Sequence, residues 1–227
     1  MNPTTAPLDL PFITDGRWQM TLGERFAIEG VLGHIRPGLS IETGTAQGGS
    51  LRRLAEHSGE VHAFDIVPEV KDLEAEFDNV TIHIGDSTTV LPEVMRTLAA
   101  QGRHVDFALI DGDHTPAGVQ RDILAVLDSE ACRRTVVIFH DTANDDVRLG
   151  LDALDLPNHP KIALCMLDFV PGYLVVDGHP QYSHAAWNGL GLVILDDARG
   201  AAPAVTMSDR YSSAEVIQRA RRTYQSA

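Results

Sequence analysis

Cysteine, basic side chains and long apolar runs are all scarce in this 227-residue chain. The two cysteines, Cys132 and Cys165, lie far apart with no Cys-x-x-Cys spacing, which excludes a disulfide framework of the secreted kind. They read as reduced thiols of a cytoplasmic protein. Lysine and arginine number 18 against 32 acidic residues, a net charge of −14. Without a basic excess there is nothing to displace counterions, so neither nucleic acid nor an anionic membrane is an expected partner. A small or neutral ligand fits better. No run approaches the roughly 20 apolar residues needed to span a bilayer. The stretch from Met1 to Pro11 lacks the basic and apolar regions of a signal peptide. Repeats at solenoid spacing and a domain-length linker are also missing, so the chain reads as a single domain over 1–227.

What is present is a repeating alternation of strand and helix. Residues 1–20 form an N-terminal arm with prolines at 3, 7 and 11. Thr21 and Glu24 then make a capping box that opens a helix through about Leu32, with Phe26, Ala27, Gly30 and Val31 on its packed face. Strands follow at 39–41, 61–66, 80–84, 105–110 and 135–139, with helices expected at 69–77, 88–100 and 117–127. Such alternation means βαβ units and a parallel, doubly wound sheet. A helix is expected over 145–154, strands over 162–169 and 190–195, and a final helix after Ser212 whose arginines 219, 221 and 222 form a solvated face. The long irregular segment 171–189 holds Tyr173, His179, Tyr182, His184 and Trp187; loops of that length are usually functional, and it is expected near the substrate.

Five strand ends in succession carry acidic or glycine residues: Glu42, Asp65, Gly85-Asp86, Asp111 and His140-Asp141. In a parallel sheet they share one edge, where open α/β sheets bind ligands. The first is followed by Gly44, Gly48 and Gly49 and then a helix, so backbone N–H groups and a positive helix end face the ligand. Asp65 falls 23 positions after Glu42, where a carboxylate can accept both hydroxyls of a ribose. Glu42 would repel a diphosphate and attract an ammonium group. That charge logic favours S-adenosylmethionine over a dinucleotide. Asp113 reads as a helix N-cap, and His62 and His83, inside strands, as core or face histidines.

The stretch Glu42-Thr43-Gly44-Thr45-Ala46-Gln47-Gly48 resembles the first motif of class I S-adenosylmethionine-dependent methyltransferases. Phe64-Asp65-Ile66, Gly85-Asp86-Ser87 and Ile110-Asp111-Gly112-Asp113-His114 resemble the later motifs, in order. The resemblance implies a Rossmann-like seven-stranded sheet, mostly parallel, with an antiparallel last strand. It implies cofactor contacts from Glu42, Gly44, Thr45, Gly48, Ser50, Asp65, Ile66, Asp86, Ser87 and Asp111. A closer resemblance is to metal-dependent O-methyltransferases of the macrolide-sugar and cephalosporin-hydroxylase-like group. It implies that Asp111, His140 and Asp141 hold a divalent ion, Mg²⁺ or Mn²⁺, that Asp111 and His114 are catalytic, and that His114 is the base. His140 stands where that group has Glu, which keeps Zn²⁺ or no metal open.

The expected activity is methylation of a small-molecule hydroxyl, on a sugar or natural product, with homo-oligomer formation left open. A metal-independent N- or O-methyltransferase is the alternative. A nicotinamide-dependent oxidoreductase and a non-catalytic adenosyl-ligand-binding protein stand further off.

Overall fold

The computed structural model describes residues 10–175, 185–199, 204–206, 216–220 and 222. The chain runs α1 (Pro11–Thr14), α2 (Leu22–Ile35), β1 (Leu39–Thr43), α3 (Gly49–His57), β2 (Glu60–Asp65), a 3₁₀ segment (Pro68–Glu76) and β3 (Val80–Ile84). It continues α4 (Ser87–Ala100), β4 (Phe107–Ile110), α5 (Pro116–Leu127), β5 (Val136–Phe139), α6 (Asp145–Asp152) and β6 (Ile162–Val170). The paired strands β7 (Tyr173–Leu174) and β8 (Ala186–Trp187) precede β9 (Leu190–Leu195) and β10 (Val205–Thr206).

The main sheet has the order β10-β6-β9-β5-β4-β1-β2-β3. Every neighbouring pair is parallel except those of β9, which runs antiparallel to both β5 and β6. The expected seven strands are therefore all there. An eighth, the two-residue β10, adds to the β6 edge. The order reverses between β1 and β4, so the crevice at their carboxyl ends is the switch point where such sheets bind ligands.

Alternation along the central strands supplies two cores. Ala108 and Ile110 of β4 pack with Ile41 and with Leu91, Met95, Ile123 and Val126 of α4 and α5. Phe107 and Leu109 face the other way, toward Ile28 and Leu32 of α2 and Leu51 and Leu54 of α3. Burial on both faces is why β1 and β4 read as apolar runs without an exposed side. Glu42 is therefore a carboxylate inside a fully buried strand.

Several local expectations change. The buried face of α2 is Glu24, Arg25, Ile28 and Leu32, whereas Phe26 is 53% exposed. Two charged side chains occupy the inward positions because both find partners there. Residues 68–76 are 3₁₀ rather than α-helical, and Glu74 and Lys71 from this segment bond the backbone N–H and C=O of Ile82 on edge strand β3. Thr115, not Asp113, caps α5 by accepting from Gly118 N; Asp113 accepts from Thr115 N instead. His62 and His83 partner each other at 2.8 Å. Both cysteines are free and buried, and burial pushes the Cys132 thiol up to about 12. Residues 216–220 are helical, while the expected cap at Ser212 and Arg221 lie outside the described residues. So do His179, Tyr182 and His184. No helix among the described residues is long and apolar enough to cross a membrane.

Candidate active site

A cavity of about 860 Å³ opens at the switch point. One half is built on the β1–α3 turn. Gly44 has φ +77°, and a Cβ there would overlap the carbonyl oxygen of Asp111, so only glycine lets the first turn pass β4. Gly48, also left-handed, caps α3, whose first residues Gly49 and Ser50 line the cavity with Thr45 and Ala46. Asp65 closes β2 and braces this turn: its carboxylate accepts from Ala46 N and Val67 N, both at 2.9 Å. Ile66 is 71% exposed on the cavity wall. Asp86 caps α4 by accepting from Thr88 N at 2.9 Å. Ser87 donates to the buried Asp122 at 2.7 Å.

Glu42 is the anomaly of this half. It is wholly buried, and neither carboxylate oxygen has a hydrogen-bond partner. The nearby Thr45 hydroxyl is also unpartnered. Burial pushes the Glu42 carboxyl up to about 8; the Ser50 and Thr45 hydroxyls oppose this, and the charges of Asp111 and Asp65 add to it. A buried, unsatisfied carboxylate behind a glycine turn calls for a cationic donor.

The other half is a dense ionic array. His140 Nδ1 lies 2.9 Å from Asp111 Oδ1 and 3.4 Å from Asp141 Oδ2, and its Nε2 lies 3.4 Å from Glu24 Oε1. His114 Nε2 lies 3.5 Å from Asp111 Oδ1 and 3.3 Å from Asp141 Oδ2. Burial opposes a charge on His140, yet Asp111, Asp141 and Glu24 outweigh it and hold the imidazolium well above the ordinary histidine range. Asp111 is depressed despite its burial, because His140 and His114 stand beside it. The hydrogen bond to Asp111 raises His114, with Asp141 adding to the effect against partial burial.

The expected metal set, Asp111, His140 and Asp141, stands together with His114 beside it. His140 Nδ1 is hydrogen-bonded to Asp111, while its Nε2 stands 3.4 Å from Glu24 Oε1 without a hydrogen bond. One donor atom from each of Asp111, His114 and Asp141 lies within 4.8 Å of the others. Asp141 sits at φ 57° and accepts from Asn188 N at 2.6 Å, which joins the end of β5 to the β8–β9 turn.

Glu24 and Asp122 were not anticipated as site residues. Glu24 is legible as a capping-box residue, and it does accept from Thr21 N at 2.7 Å. It also accepts from Asn188 Nδ2 at 2.9 Å and Gly189 N at 2.6 Å. Asp122 lies on the apolar stripe of α5 beside Val119, Ile123 and Val126. An acid within such a stripe was the available signal.

Residues 41–142 match the family described as "Methyltransferase domain". The chain carries a methyltransferase domain over these residues, set in a Rossmann-like sheet. Its fold is similar to cofactor-bound Rv0187 from MTB, with 17% identity over 82% of this chain and 90% of that one, at a TM-score of 0.59. It is also similar to an O-methyltransferase from Bacillus cereus in complex with SAH, with 14% identity over 78% and 82% of the two chains and a TM-score of 0.55. An rRNA methylase from Streptococcus thermophilus shares 12% identity over 78% of this chain and 98% of that one, at a TM-score of 0.51. No curated protein matches the sequence. Fold likeness at these identities leaves the acceptor to be argued from the site.

Proposed function

We propose that this enzyme methylates a hydroxyl of a small molecule, a sugar or other natural product, with His114 as general base. The observation that carries the reading is the placement of His114 on the cavity wall, its Nε2 between Asp111 and Asp141. S-adenosylmethionine supplies a methyl group already activated on a sulfonium. The protein's part is alignment and proton removal. Glu42 receives the cofactor ammonium and Asp65 its ribose hydroxyls, while Asp86 and Ser87 bound the adenine end. With the Nε2–H of His114 turned to the carboxylates, its free lone pair is on Nδ1, and this atom takes the acceptor's proton. Trp187, whose ring centroid lies 6.0 Å from that of His114, walls the acceptor side with Tyr173 and Val175. The net charge of −14 supports a small acceptor over RNA or a membrane surface, in a cytoplasmic setting.

A second reading has its own observation, the convergence of Asp111, His114 and Asp141. Two carboxylates and an imidazole suit Mg²⁺ or Mn²⁺, and such an ion would lower the acceptor's pKa. His114 would then be a ligand and not the base. Methyl transfer from labelled cofactor to sugars, phenols, amines and RNA, each with and without exhaustive chelation, separates these readings. Hydroxyl acceptors labelled equally in both conditions support the metal-free base. Loss on chelation, restored by Mg²⁺ or Mn²⁺, supports the ion. Transfer to RNA or amines alone would overturn the proposed acceptor.

A further inference from the structure

Adjacent to Glu24 on α2 stands a second buried charge that the chemistry above does not use. Arg25 points back along the chain, and its guanidinium meets carbonyl oxygens of five earlier residues. Its Nε donates to Met20 O at 2.9 Å, and Nη1 lies 3.1 Å from each of Phe12 O, Ile13 O and Asp15 O. Its Nη2 donates to Trp18 O. The last carbonyls of the one-turn helix α1 and those of the irregular residues after it are gathered by one planar fork of donors. The Trp18 ring also stacks under the guanidinium, 5.4 Å from its carbon to the ring centroid.

The gathered segment is not remote from the cofactor. Arg17, Trp18, Gln19 and Met20 line the cavity. A Cβ at Gly49 would overlap the Trp18 backbone, so the segment lies directly on the first turn of α3. Arg52 of α3 lies 3.6 Å from Asp15, and Arg17 lies 3.5 Å from Glu76. Residues 12–20 therefore form a strap whose last four residues wall the cavity, held against α3 and Glu76.

We propose that Arg25 is a positioning residue for cofactor binding: by collecting the carbonyls of residues 12–20 it preforms the strap that walls the S-adenosylmethionine site. A lysine has one ammonium in place of the fork and cannot reach five carbonyls spread along the strap. The proposal rests on the cofactor assignment and not on the acceptor.

The test uses the full chain, with S-adenosylhomocysteine as the probe in titration calorimetry. The parent's binding in the same experiment checks the cofactor assignment separately. Arg25→Lys should unfold cooperatively, bind the probe at least about tenfold more weakly, and be cut faster by trypsin after Arg17. Parental affinity in a folded Arg25→Lys protein, whatever the cleavage rate, overturns the proposal. Should that variant not fold, hydrogen exchange on the parent decides. Amides of residues 12–20 should slow when the probe is added, and exchange that the probe leaves unchanged overturns the proposal.

Discussion

The two halves of the cavity handle charge in opposite ways. On the cofactor side, Glu42 is buried with no hydrogen-bond partner, and the cavity wall carries Asp65, Asp86 and Ile66 among glycines and the hydroxyls of Thr45 and Ser50. On the acceptor side, His114 and His140 stand within ion-pair distance of Glu24, Asp111 and Asp141. The first half is incomplete until a ligand arrives. The second sets groups of both signs against one another before any ligand arrives. An unsatisfied buried group marks where a ligand's charge belongs, and a satisfied network marks where the protein's own charge must not move.

The largest expected effect sharpens this division. His114→Ala should lower turnover by about 10²–10⁴-fold while leaving the affinity for S-adenosylhomocysteine near the parental value. Steady-state kinetics beside calorimetry would show it. A parallel fall in affinity would mean that the halves are not separate.

Glu24→Gln tests whether the acceptor half is self-supporting. The substitution leaves the His140 imidazolium without one of its carboxylates and sets an amide N–H₂ among the donors of Thr21, Asn188 and Gly189. Breaking a buried ionic contact in this way costs about 3–5 kcal/mol, which urea unfolding would register. A loss below about 1 kcal/mol would show the array to be loosely coupled.

The remaining effect belongs to Glu42 and runs with pH. Its folded-state value is about 8 against an ordinary 4.5, so the ligand-free native state holds a proton that the unfolded chain releases. Stability from this group is present in full below the ordinary carboxylate range and declines as pH rises through the window up to about 8. The slope is at most about 1.4 kcal/mol per pH unit. Glu42→Gln should flatten that decline in thermal unfolding measured across pH. Cofactor binding below this window's upper end should release a proton, visible as a dependence of calorimetric heat on buffer ionisation. A heat independent of the buffer would place the cofactor ammonium elsewhere.

The sequence by itself determined the order of strands and helices, the glycine turn after β1 and the row of acids along one sheet edge. These depend on short-range signals: apolar period, capping residues and the φ that only glycine tolerates at Gly44. Even locally, two acceptable solutions could compete. Asp113 and Thr115 both suit a helix start, and the choice of Thr115 depended on which side chain met Gly118 N. What only the tertiary structure decided is the partnership of side chains distant in the chain. Glu24 reads locally as a capping residue, and its second role appears when Gly189, 165 positions away, is brought against it. His140 reads as a metal ligand beside Asp141, and only the fold shows Glu24 of α2 3.4 Å from its Nε2. Phe26 reads as the packed face of α2 until Glu24 and Arg25 are seen to point inward. A charged residue is expected outside because burial costs it hydration, and only the folded chain shows where partners make good that cost.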